Sequence, residues 1–165
     1  MPAPKRIIYG GDGNSNMYFR ENFDGKDAEF PAIHGSHFNP AQSLDRAALA
    51  HPNRANLIYG EQVWTVSESA KAARQIAELL LSCDVRSGER VVLISRNSPY
   101  HLLIHAACCR IGAVFVPISY RLQRRELAQM LQICTPSVVI TDSETANEQK
   151  IFRQSEKAEN LRTGI

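Results

Sequence analysis

Residues 88–122 read G-E-R-V-V-L-I-S-R-N-S-P-Y-H-L-L-I-H-A-A-C-C-R-I-G-A-V-F-V-P-I-S-Y-R-L, and their order decides the fold. Val91–Ile94 is a short β-branched and leucine run, bounded by Ser87-Gly88 before it and Asn97-Ser98 after it. A run that short and apolar on both faces suits a buried parallel strand. Ser98 is an N-cap candidate, and Pro99 then occupies the first helical position, where its missing N–H costs nothing. The following helix is apolar almost all round and should stop at Gly112, the usual left-handed cap. Ala113–Val116 reads as a second strand that Pro117 ends. Two parallel strands joined by a helix make a right-handed βαβ unit.

Composition sets the frame. The chain has 165 residues, 44% hydrophobic and 22% charged, which is ordinary for a globular domain. A net charge of +2 gives no argument for nucleic acid or an anionic membrane. The longest apolar stretch, Leu102–Val116, is interrupted by His105 and Arg110, so no membrane span is expected. No signal peptide is legible. Cys83, Cys108, Cys109 and Cys134 lack C-x-x-C spacing and read as small core hydrophobes in a reducing compartment. A cytoplasmic location is the default expectation.

Working outward, His51-Pro52 ends a helical stripe over Ala41–Leu49 (Leu44, Ala47, Ala48, Leu49). Leu57–Tyr59 and Val63–Thr65 flank Gly60-Glu61-Gln62 as a hairpin. Thr65-Val66-Ser67-Glu68 fits a capping box, opening a helix with Val66, Ala70, Ala73, Ile76, Ala77, Leu80 and Leu81 on one face. Beyond Leu122, a helix with a buried stripe of Leu127, Met130, Leu131 and Ile133 is broken by Thr135-Pro136. Ser137–Ile140 is the last clear strand. Three domains of character result: 1–40, an irregular lead-in pinned by aromatics; 41–142, an α/β unit with a mostly parallel sheet flanked by helices and preceded by a small hairpin; and 143–165, a polar tail.

The ordered set G-E-R-V-V (88–92), R-N-S-P (96–99), R-I-G-A-V-F-V-P-I (110–118) and Y-R-L (120–122) resembles the N-terminal region of the acyl-adenylate-forming ligases, the AMP-dependent acyl-CoA synthetases and their relatives. The likeness reaches upstream to Gly60-x-x-Val63-Trp64-Thr65 and to the turn His51-Pro52-Asn53-Arg54-Ala55. Downstream it takes in Glu126-Leu127 and Val138–Asp142, so that it covers Ser43 to Asp142. Val66 replaces the family's usual aromatic and Ser69 its usual leucine. The resemblance implies an enzyme that uses ATP and magnesium to activate a carboxylic acid as an acyl-adenylate, then passes the acyl group to coenzyme A. In that family the chemistry lies in a Ser/Thr/Gly-rich phosphate loop ending in Pro-Lys, an adenine loop, an acidic ribose motif and a C-terminal lysine. All of these follow the region matched here, and neither a T-S-G-T-T-G-like nor a Y-x-T-G-D stretch occurs in this sequence. No catalytic, cofactor-binding or metal-binding residue is therefore carried over.

The residues themselves offer other candidates. Gly10-Gly11-Asp12-Gly13-Asn14 resembles a single calcium-type glycine repeat, but such repeats work in stacked arrays; it is not a phosphate loop either, since no Lys-Ser/Thr and no helix follow it, and it reads as a turn. His34-x-x-His37 has metal-like spacing without a third ligand and reads as a surface loop. His101 and His105, with Cys108 and Cys109, lie on one helix. Zinc binding or a Cys-His nucleophile is weighed there against a structural role, and the structural role is expected. Arg121, Arg124 and Arg125 are weighed as an anion site against a solvated helix start, and the solvated start is expected.

Three expectations follow. The chain is an N-terminal segment of an acid–CoA ligase that does not catalyse alone, or alternatively half of a split enzyme or a non-catalytic α/β interaction module. No cofactor is expected on this chain by itself, with ATP, magnesium and coenzyme A belonging to the complete family member. Its partners are a chain carrying the rest of the ligase, or copies of itself meeting through uncovered sheet. No nucleic acid or membrane partner is expected.

Overall fold

A computed structural model describes residues 6–10 and 39–145. Six strands and four helices follow in the order β1 (Arg6–Gly10), α1 (Pro40–Ala50), β2 (Ala55–Tyr59), β3 (Gln62–Thr65), α2 (Val66–Ser82), β4 (Arg90–Ser95), α3 (Tyr100–Ile111), β5 (Val114–Ser119), α4 (Arg124–Cys134) and β6 (Val138–Asp142). Strands β1-β6-β4-β5 form one sheet, parallel at every pairing, and β2-β3 form a separate antiparallel hairpin. The architecture is α/β, with a parallel sheet flanked by helices.

The central strand β4 explains the arrangement. Val91, Val92, Leu93 and Ile94 are all essentially buried, so both faces of the strand need cover. Val91 and Leu93 point into a core with Ile76 and Leu80 of α2, Leu103, Ile104 and Ala107 of α3, and Val138 and Ile140 of β6. Val92 and Ile94 pack on the opposite face with Ile118, Val139 and Leu127 of α4. The winding therefore reverses after β5: α3 crosses one face and α4 the other. Leu127 is the one fully buried residue of α4.

Local chemistry sets the helix ends. Thr65 N–H donates to Glu68 Oε2 at 2.8 Å and Glu68 N–H to Thr65 Oγ1 at 3.2 Å, completing the capping box. These bonds hold the Glu68 carboxyl below its ordinary range. Gly112 ends α3 with φ +71°. A Cβ there would lie 2.6 Å from Ser87 Oγ, so both the backbone and the neighbouring turn require glycine. At the junction of α1, α2 and α3, Asp45 Oδ1 accepts from Arg74 at 3.2 Å and from Arg110 at 2.7 Å.

Several expectations are corrected. Arg6–Gly10, assigned to an irregular lead-in, is a sheet strand in register with Val138–Asp142; its partner lies too far along the chain for local pattern to reveal. Pro117 does not end β5, which continues to Ser119. The strand lies at the sheet edge, so a missing N–H on its open side breaks no ladder bond. Ser98 supplies no side-chain cap, and α3 starts at Tyr100, one residue later than Pro99. Leu49, Leu81, Met130 and Ile133, placed on buried stripes, are 86%, 36%, 38% and 76% exposed. Their helices are covered over a narrower arc than their apolar residues span.

Candidate functional site

In open parallel sheets, ligands collect outside the carboxyl ends of the strands, where crossovers leave for opposite faces. Here that place lies between β4, whose chain continues to α3, and β5, whose chain continues to α4. The rim is built from the last strand residues, Ser95, Ser119 and Asp142, and the loops that follow them. Ser95 and Ser119 are register partners.

Asp142 ties two of these loops together. Its Oδ2 accepts the Arg96 N–H at 3.0 Å and the Thr145 hydroxyl at 2.9 Å, while Oδ1 accepts the Thr145 N–H at 2.6 Å. Arg96 also forms an ion pair with Glu144. The Arg96 guanidinium carbon lies 5.7 Å from the centre of the Tyr120 ring, and that of Arg121 lies 5.5 Å from it. Arg121 Nε donates to Tyr120 Oη at 3.1 Å, and its backbone N–H donates to Ser119 Oγ at 3.3 Å. The rim is thus a cluster of two arginines on one phenol, with one carboxylate seated on the first arginine.

The candidates named from sequence fare differently. His34 and His37, and Gly11 to Asn14 of the glycine run, lie outside the described residues; Gly10 closes β1. Arg121 joins Tyr120 and Arg96, whereas Arg124 and Arg125 are exposed on the first turn of α4, where Gln123 and Glu126 complete a capping box. Sequence reasoning missed Arg96, Tyr120 and Glu144, which come from separate loops with no common spacing.

On α3, Cys108 is fully buried, and burial with its neighbour Cys109 pushes its thiol up to about 12. A thiol that resists ionisation is a poor nucleophile. Burial also raises Cys109, whose carbonyl accepts from Asn39 Nδ2 at 3.3 Å. His105 is exposed beside Phe115, with ring centres 5.7 Å apart. Among the described residues, no three of His, Cys, Asp and Glu gather as metal ligands.

His101 is half-buried, and its Nδ1 is enclosed without a well-formed hydrogen bond. Desolvation holds its pKa below the ordinary 6.5, with the Ser98 backbone and the Asp142 charge pulling the other way. The unfolded chain then takes up a proton before the folded chain does. The contribution of His101 to stability is complete above pH 6.5 and is lost as pH falls through the lowered folded-state value. Urea midpoints measured across this range should drop on acidification, and His101→Gln should flatten that part of the curve. An unchanged slope in the variant would contradict the assignment.

A family model described as AMP-binding enzyme matches residues 44–164. The chain belongs to the AMP-binding enzyme family. Among curated relatives, the peroxisomal acetate/butyrate–CoA ligase AAE7 of Arabidopsis thaliana is 31% identical over 121 residues, covering 72% of this chain and 21% of the relative. Indoleacetate–CoA ligase of Aromatoleum aromaticum is 29% identical over 112 residues, covering 68% and 22%. Among solved structures, a fatty acyl CoA synthetase of Mycobacterium tuberculosis superposes with a TM-score of 0.66 at 25% identity, covering 70% of this chain and 23% of that one. This AMP-binding family chain spans about a fifth of the length of the curated relatives it matches. No described helix is long and apolar enough to cross a membrane.

Proposed function

We propose that this chain supplies the N-terminal scaffold of an acid–thiol ligase, which activates a carboxylic acid with ATP and magnesium and transfers the acyl group to coenzyme A. The observation that carries this reading is the family match over 44–164 on a parallel sheet that superposes on an acyl-CoA synthetase. The names of the relatives, acetate/butyrate and indoleacetate among them, favour a carboxylic acid substrate, with fatty acid metabolism as one setting. Four free cysteines favour a cytoplasmic setting, although related ligases are named as peroxisomal.

The described residues do not compose an ATP–magnesium site. The described carboxylates gather no metal-ligand group, and the rim's first arginine is already paired with Glu144. No step of the adenylation is therefore assigned to a residue of this chain. Its part in the reaction is to form the wall against which the catalytic segments of such a ligase are arranged.

The 165-residue chain is accordingly expected to release no pyrophosphate from ATP with magnesium and a panel of carboxylic acids, because the electrostatic stabilisation that phosphoryl chemistry needs is missing. Turnover that follows the protein through purification would overturn this. Transplanting residues 44–142 into a related ligase in place of its own matching segment tests the scaffold role directly. Thioester formation by the chimera supports it. A folded, inactive chimera would favour a non-catalytic interaction module.

A further inference from the structure

We infer that the last turn of α4 is a spring-loaded catch: the Arg90 guanidinium keeps it wound by gripping Thr135 in a strained conformation, and release unwinds the turn and bares the Cys134 thiol. The inference rests on the backbone and its hydrogen bonds and is independent of the ligase reading. Thr135 follows α4 with φ +43° and ψ +60°, in the left-handed region. A β-branched residue is an outlier there, and a residue that precedes a proline, as Thr135 precedes Pro136, is pushed further toward extended backbone. The other non-glycine residue at positive φ among the described residues is Asp84, a type that this region tolerates. Strain of this kind persists only where surrounding contacts over-determine it.

Arg90 supplies those contacts. It is the first residue of β4, and its fork reaches across to the end of α4. Nε donates to the Cys134 carbonyl at 2.9 Å, while Nη2 donates to the Thr135 carbonyl at 2.8 Å and to the Thr135 hydroxyl at 2.7 Å. Nη1 donates to the Gly88 carbonyl at 3.4 Å, which steadies the fork from its own side. In the return direction, the Ser137 N–H donates to the Arg90 carbonyl at 2.9 Å. A cation on the last carbonyls of a helix also meets the negative end of its dipole. Polar bonds to one side chain thus join the helix end to the strand start.

Little else holds this turn. Leu127, the fully buried residue of α4, lies in its first half beside the capping box of Gln123 and Glu126. Beyond it, Gln132 and Ile133 are exposed, and Leu131 and Cys134 cover their apolar cluster only in part. The first half of α4 is therefore anchored by burial and the last turn by one arginine. Opening loses the Arg90 bonds but returns the strain at Thr135, so the turn opens more readily than the helix before it. Cys134 is half-buried when the catch is closed, and its thiol reports the open state.

The test is maleimide labelling of the full 165-residue chain, read at each cysteine by peptide mass spectrometry, together with amide hydrogen exchange. Thr135→Val keeps the β-branch and deletes the hydroxyl that Arg90 grips, and it should speed both Cys134 labelling and exchange over 131–135 by about tenfold. Thr135→Asn should slow both several-fold, because asparagine tolerates the left-handed region and still offers Arg90 an oxygen. Arg90→Lys loses the fork and should speed both, while exchange at Leu103 and Ile104 of α3 and labelling of the half-buried Cys109 stay unchanged. Thr135 is exposed, so its variants should leave the fold intact, which circular dichroism checks. The proposal is overturned if the Val and Asn variants shift in the same direction, if Arg90→Lys speeds exchange in α3 as much as in α4, or if Cys134 labelling carries the urea dependence of global unfolding.

Discussion

Replacing Leu127 with alanine is expected to remove about 3 kcal/mol of stability, a large share of what a domain of this size possesses. The reason is how little holds α4 to its face of the sheet. Leu127 is fully buried against Val92, Ile94, Ile118 and Val139, while Leu131 and Cys134 only partly cover the same cluster. Truncation leaves a cavity that these β-branched strand residues cannot close, because their side chains are fixed by the pleat. Ile133→Ala provides the control. That side chain is 76% exposed, and its loss should fall within about 0.5 kcal/mol. Urea unfolding with an unchanged slope would measure both, and equal costs for the two variants would show that α4 is not anchored as described.

The second large effect concerns the whole polypeptide. The purified 165-residue chain is expected to be marginally stable, to bind hydrophobic dye and to self-associate. One face of the sheet is covered by α2 and α3, with α1 packed on those two helices, and the other by α4 alone among the described elements. Met130 and Ile133 on α4, Val114 on the edge strand β5, and Ile58 with Val63 on the hairpin all remain exposed. Leaving a few hundred Å2 of apolar surface wet forgoes several kcal/mol at about 25 cal/mol per Å2, which is comparable to a domain's net stability. The open backbone edge of β5 adds a route to pairing between copies. Sedimentation with thermal unfolding decides the matter. A monomer with a sharp cooperative transition and no dye binding would show a self-sufficient domain, and would favour the interaction-module reading over the ligase scaffold.

Where the determinants are local, the sequence was readable. The strand Val91–Ile94, the Thr65–Glu68 capping box and the glycine stop at Gly112 each depend on neighbours a few residues away, and each stands where it was expected. Where a remote surface decides, it was not. Arg6–Gly10 becomes a strand because β6 offers it an edge; its Ile7-Ile8-Tyr9 run is apolar but too short to mark a strand without that partner. Leu81 and Ile133 lie at the margins of apolar stripes whose centres, Leu80 and Leu127, are buried, so periodicity alone placed them inside. The rim cluster was least legible of all. Arg96, Tyr120 and Glu144 are ordinary residues in three loops, and only the parallel register of β4, β5 and β6 brings them to one place.

The position of β6 has a consequence for biosynthesis. It fills the slot between β1 and β4, with Val139 in register with both Ile7 and Val92. During translation β4 and β5 can pair as soon as they emerge, since only α3 separates them. Among the described strands, β1 must wait for β6 before it has a hydrogen-bonding partner. Until residue 138 leaves the ribosome, the nascent sheet is a two-stranded ribbon with an open side, and closing the long loop that brings β1 home is the slow step that topology imposes.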